Sequence, residues 1–196
     1  ATDGEGGVWV TGMVMGGAAR SVGGAEFTPA GSSAIFLAKY DIETGAHLWS
    51  GMWGSPAHYG IVGFDRAYDV AVIGDKVIIA ALSLPQIDFG AGPLGPQPDG
   101  NKANTFLAAF DLQGAPQWSL EALSTDQSTI LLRELSVTPD MHLAILCSGR
   151  LMRVNPADGA PLAESPIEPG AAHFAVDSES MAVISYTIYD SISFDD

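Results

Sequence analysis

The run Phe36-Leu37-Ala38-Lys39-Tyr40-Asp41, followed by Gly45 and Trp49, comes back as Phe106-Leu107-Ala108-Ala109-Phe110-Asp111, followed by Gly114 and Trp118. A worn third copy spans 150–162, with Arg150 where the phenylalanine stood, Gly159 in the turn and Ala163 in place of the tryptophan. A chain that repeats one strand-turn-strand unit buries its apolar faces by stacking the copies, so this recurrence restricts the fold before any single residue does.

Other segments recur with it. Val8–Val14 reads as a strand rich in β-branched residues, and its counterparts are Val77–Leu82, Leu143–Leu146 and Met181–Tyr186. Three of these follow a shorter alternating lead-in and a polar turn: Asp69–Val72, Leu135–Val137 and His173–Val176. The first copy lacks that lead-in. Gly/Pro-rich connections at 23–31 and 87–96 read as turns. Val8 and Val77 stand 69 positions apart and Phe36 and Phe106 stand 70, so the first two copies keep register. The third is compact, and Ile192-Ser193-Phe194-Asp195 echoes Ile87-Asp88-Phe89-Gly90 just before the residues end. Residues 120–135 have a helix-friendly composition with Ser124, Thr125 and Asp126 as a cap, but register places strand, loop and strand there.

In Ile35–Ala38 and Val77–Leu82 successive residues are apolar without alternation. Neighbouring strand residues point to opposite faces, so both faces of these sheets must be covered. With little helix to cover them, other sheets must. The expectation is an all-β chain, a β-propeller of four-stranded antiparallel blades, incomplete, with about three to four blades present. A β-sandwich also has many short strands, but it does not account for the copies. Residues 1–196 form one propeller segment, with blade-like repeats at roughly 1–66, 67–134, 135–170 and, in part, 171–196. Both ends fall inside repeats, so the rest of the propeller is expected from a longer chain or from a second copy.

The run from Phe36 to Trp49, its copy from Phe106 to Trp118, and the loop Asp88-Phe89-Gly90-Ala91-Gly92-Pro93-Leu94 resemble the β-propeller repeat of bacterial exported and cell-surface proteins. Asp41 through Trp49 is also similar to the D-x-x-T-G-x-x-x-W repeat of quinoprotein-like propellers, which include quinone-cofactor dehydrogenases and non-catalytic scaffolds. The resemblance implies an extracellular, cell-surface or periplasmic location. It implies a non-catalytic interaction or scaffold module that binds protein or glycan. A fragment of a quinoprotein-like oxidoreductase and a glycan-processing propeller are its alternatives.

Charge and composition agree with a packed, soluble chain. Eight Lys and Arg against 23 Asp and Glu give a net charge of −15, which repels phosphate backbones, so no nucleic-acid partner is expected. No apolar run approaches the ~20 residues of a membrane helix, and Ala1–Gly7 has no signal-peptide character. The lone Cys147 lies in an apolar run, as a buried structural thiol would.

No residue set declares a catalytic, cofactor or metal site. Trp49 and Trp118 occupy one repeat position, which points to packing between blades; Trp9 and Trp53 read the same way. His47, His58, His142 and His173 are scattered without metal-ligand spacing. Asp3, Glu5, Asp75, Asp99, Asp140 and Asp177 sit in turns, where carboxylates can bind calcium but also belong on backbone grounds. Neither a nucleophile elbow nor a P-loop is present. No cofactor is expected beyond calcium at such turns.

Overall fold

The computed structural model describes residues 1–16, 18–29, 31–55, 65–83, 87–94, 104–123, 132–147, 150–166, 171–176 and 182–186, and every one of its regular elements is a strand. The first sheet holds β1 (Gly7–Met15), β2 (Ser33–Asp41) and β3 (His47–Trp53). The second begins with β4 (Arg66–Ile73) and β5 (Lys76–Ser83). A small hairpin of β6 (Ile87–Asp88) and β7 (Pro93–Leu94) intervenes before β8 (Asn104–Asp111) and β9 (Pro116–Leu123) complete the order β4-β5-β8-β9. The third runs β10 (Leu132–Val137), β11 (Leu143–Cys147), β12 (Arg150–Val154), β13 (Pro161–Pro166). The fourth pairs β14 (Ala171–Val176) with β15 (Ala182–Tyr186). Every pairing is antiparallel.

The helix-friendly stretch at 120–135 is strand at both ends, β9 running to Leu123 and β10 starting at Leu132; residues 124–131 lie outside the described residues. Asp99, Asp177, His58 and the Ile192–Asp195 echo lie outside them as well, and the Cys147 and His173 side chains are not among those described.

The unalternating apolar runs have a direct physical reason. In the second sheet Val77, Ile79, Ala81, Phe106, Ala108 and Phe110 pack with Trp9, Ile35 and Leu37 of the first sheet. Their immediate neighbours Ile78, Ala80, Leu82, Leu107 and Ala109 pack with Leu143, Ile145, Met152 and Val154 of the third. The third sheet repeats this, turning Ala144 and Leu146 towards Phe174 of the fourth. Residues 77–83 of β5 and 104–110 of β8 are therefore buried whichever way they point, and adjacent residues serve different cores. The sheets are stacked face to face like a fan that is not closed. The first strands of successive sheets adjoin, β4 against β10 and β10 against β14, while β4 also lies against β1.

Blade seams and a candidate binding groove

The repeated motif assembles its own turn. Asp41 accepts the N–H groups of Glu43 (3.1 Å) and Thr44 (2.8 Å) and the Thr44 hydroxyl (2.7 Å). The Thr44 hydroxyl and N–H hold its carboxyl below the usual range, against the opposing pull of desolvation. Asp111 does the same for Gln113 and Ala115, and Asn155 for Ala157. The tryptophan that follows serves the next sheet. Gly114 has φ +88°, and a Cβ there would overlap the Trp49 ring; Gly159 has φ +74°, and its Cβ would stand 2.8 Å from Trp118 Cζ3. Trp118 Nε1 also donates to the Pro156 carbonyl at 3.1 Å. Each tryptophan thus lies on the turn glycine of the following copy, a position only glycine fills at this closeness and backbone angle.

Trp9 and Trp53 join the same seam. Trp9 and Trp49 have centroids 5.7 Å apart, Trp53 and Phe110 4.9 Å, and Trp53 and Phe89 5.8 Å. Beside them Lys39 pairs with Asp3 at 2.8 Å, donates to the Leu112 carbonyl at 3.1 Å and lies 5.3 Å from the Trp9 ring centroid. Asp3 is in a turn, as its sequence context indicates, but its side chain has no solvent exposure. Burial raises its pKa; the Lys39 hydrogen bond and charge, with the N–H groups of Glu5 and Gly7, outweigh that and bring it down to about 2. Glu5 contributes that N–H from the exposed side of the turn.

Of the remaining candidates only Asp140 and His142 meet, at 3.3 Å, and the others lie apart. His47 Nε2 is 3.0 Å from Ser50 Oγ and edge-on to Tyr40. Asp75 meets Lys76 at 2.7 Å on the surface. Asp140 gathers Thr138, His142 and Arg153, and the Thr138 hydroxyl leads the interactions that lower its pKa. Among the described residues no three His, Cys, Asp or Glu converge where they could hold a metal ion.

Three carboxylates that the sequence does not single out matter more. Asp65, 3% exposed, accepts the Ser55 N–H (2.8 Å), the Ser55 hydroxyl (2.9 Å) and the Ser83 hydroxyl (2.5 Å), and its own N–H donates to Ser33 Oγ (3.0 Å). That one group ties the ends of four segments from two sheets. Asp69 on β4 accepts the Leu135 N–H of β10 at 2.8 Å, and Glu134 on β10 accepts the Phe174 N–H of β14 at 3.0 Å.

Above the Asp65 knot a groove of about 240 Å³ opens among Phe27, Pro29, Met52, Trp53, Gly54 and Asp88. Asp88 is exposed, and its Oδ1 accepts the N–H groups of Gly90 (2.7 Å) and Gly92 (3.0 Å), which fixes the carboxylate at the rim. A half-buried indole beside a fixed acceptor can stack a flat or ring-shaped ligand and hydrogen-bond its edge. A second, smaller groove of about 120 Å³ lies beside Leu151, Met152 and Val176.

No family model matches the sequence, and no curated protein matches it. Among solved structures the chain is similar to Kuenenia stuttgartiensis hydrazine synthase, with a TM-score of 0.54 at 10% identity over 80% of this chain and 53% of that one. A protein of unknown function from Bacteroides caccae matches at 0.33 and 10% identity, covering 90% of this chain and 65% of that one. BamB from Moraxella catarrhalis matches at 0.33 and 15%, covering 78% and 53%. The chain spans about half the length of the hydrazine synthase chain that it matches. Among the described residues no helix is long and apolar enough to cross a membrane. Stacked antiparallel sheets of up to four strands, repeated with the tryptophan on the next turn and similar to a β-propeller subunit, make this chain a β-propeller repeat protein.

Proposed function

We propose that the chain is a non-catalytic interaction module of an exported or cell-surface bacterial protein, with blades at roughly 1–66, 67–134, 135–170 and 171–196, and that it binds protein or glycan through the loop end of its first two blades. The observation that carries this reading is the groove bearing Trp53 and Asp88. Trp9, Trp49, Phe106, Phe110 and Trp118 are used wholly in seams, and Asp65, Asp69 and Glu134 in ties between strands or blades. Binding through a preformed groove of this size suits one or two sugar rings or a short loop of a protein partner.

Titration of the full chain with a panel of neutral and amino sugars and their oligomers, followed by tryptophan fluorescence with Trp53→Phe as the control and by amide shifts of Asp88–Gly92, tests the reading. Saturable shifts confined to the groove, weakened by Asp88→Ala, support it. A glycan turned over, or quinone-dependent dye reduction by the chain supplied with calcium and a quinone, would replace it with one of the enzymatic alternatives.

A further inference from the structure

The first strands of the second, third and fourth sheets carry a device that repeats. Each has one bulged residue at the same place: Tyr68 in β4, Arg133 in β10 and Ala172 in β14. The next residue is Asp69, Glu134 or His173, and the N–H after that belongs to Val70, Leu135 or Phe174. The Asp69 carboxylate takes the Leu135 N–H, and the Glu134 carboxylate takes the Phe174 N–H. A carboxylate of one blade thus caps an edge N–H of the next, at equivalent positions twice in succession. The Val70 N–H, which would be served by the first blade, bonds instead to Asp69 Oδ1 on its own strand at 2.8 Å.

The reason lies in the first sheet, which among the described residues has three strands where the second and third have four. Its β1 stands where β5 stands in the second sheet. Among the described residues, only Ala1–Asp3 occupy the place that a fourth strand would take: Ala1 exchanges hydrogen bonds with Trp9 (2.8 and 3.1 Å), and Thr2 bridges Val8. Gly6 and Gly16, flanking β1, bond across to Ile42 and Ser32 on the β2 side. Alternation then turns the N–H and C=O groups of Thr11, Met13 and Met15 to the other edge, where no described residue pairs with them. Val10, Met13 and Met15 are 42%, 38% and 53% exposed there. An apolar edge whose backbone groups no described residue pairs is a template for another strand.

We infer that this edge accepts an extended protein strand, antiparallel to β1 and leading into Ala1–Asp3, that carries a carboxylate opposite Thr11. The register sets that position. Asp69 lies opposite Ala80, three residues along β5 from Val77, and Thr11 lies three residues along β1 from Val8, the counterpart of Val77. Both Thr11 and its pair Leu37 belong to the face turned to the second blade, so an acidic side chain opposite Thr11 is aimed at the Val70 N–H. The inference rests on the reading of the chain as part of a larger propeller, but not on the ligand of the groove.

The probe is the protein's own Arg66-Ala67-Tyr68-Asp69-Val70 sequence joined directly ahead of Ala1 of the full chain, which puts the added aspartate opposite Thr11. Amide exchange is read at Thr11, Met13, Met15 and Val70, against the unextended chain and against an extension of equal length made of glycine and serine. Exchange about tenfold slower or more at Thr11 and Val70, with the Val70 gain lost when alanine replaces the added aspartate, supports the inference. Met13 and Met15 extend the protection as far as the added residues reach. No change at Thr11 overturns strand acceptance, and protection that survives the alanine unchanged at Val70 overturns the carboxylate clasp. If the unextended chain already protects these amides, its own residues fill the edge; if protection grows with protein concentration, a second copy does. Either result overturns the assignment. Should the extended chain not fold, the same segment as a free peptide added to the unextended chain gives the same readout. Groove titration of the same samples separates failure here from failure of the proposed function.

Discussion

Replacing Gly114 by alanine tests the blade seam where the geometry is tightest. Two costs add at this site. An L-residue at φ +88° is strained by about 1–2 kcal/mol, and the new methyl must displace the Trp49 ring, an overpacking of about 1–3 kcal/mol. The total is about 2–5 kcal/mol. Gly45 occupies the same turn position in the first copy at φ +69°, but nothing lies within 4 Å of its would-be Cβ, because no described blade precedes it. Gly45→Ala therefore carries the backbone cost alone. Urea denaturation of the full chain, with thermal melts in parallel, should place Gly114→Ala at least 1 kcal/mol below Gly45→Ala, a difference of about 2–4 °C or more in Tm for a chain of this size. On a Trp49→Ala background the excess should vanish, since the ring that the methyl meets is gone. Equal costs for the two glycines, or an undiminished excess without Trp49, would refute the claim that each tryptophan lies on the next copy's turn.

Three further outcomes follow from named groups. The Asp3 carboxyl binds its proton less readily folded than unfolded, so its contribution of about 2 kcal/mol is complete above pH ~4 and is lost as pH falls towards 2; Asp3→Asn should flatten that limb of a pH–stability curve. Trp118→Phe removes the donor to the Pro156 carbonyl and should cost about 1 kcal/mol in denaturant midpoints, with the second-to-third seam still formed. Asp65→Ala strips the acceptor from Ser55 and Ser83 in a buried site and should cost about 3 kcal/mol, against about 1 kcal/mol for Ser83→Ala alone.

The repeat was legible because its residues act locally and in sequence. Asp41 and Asp111 cap turns two to four residues away, and Trp49 and Trp118 recur at one place because the contact they make recurs. The lack of alternation in Val77–Leu82 announced two covered faces before either cover was visible. What escaped notice depends on distance along the chain. Asp65 looks like any polar residue ahead of a strand until Ser33, Ser55 and Ser83 arrive from three other segments. Asp69 and Glu134 share a register, three residues before Val72 and Val137, but a bulge hides the match, and their partners lie 66 and 40 residues away. The Trp53–Asp88 groove needs two loops to meet and has no linear signature.

Adjacent residues of one strand belong to different seams, and methyl-to-methyl and methyl-to-aromatic NOEs from Ile78 and Ile79 read this out residue by residue. Ile79 should report only Ile35, Leu37 and the other residues of the first seam, while Ile78 should report only Leu143, Ile145 and the residues of the second. NOEs from both isoleucines to the same sheet would contradict it.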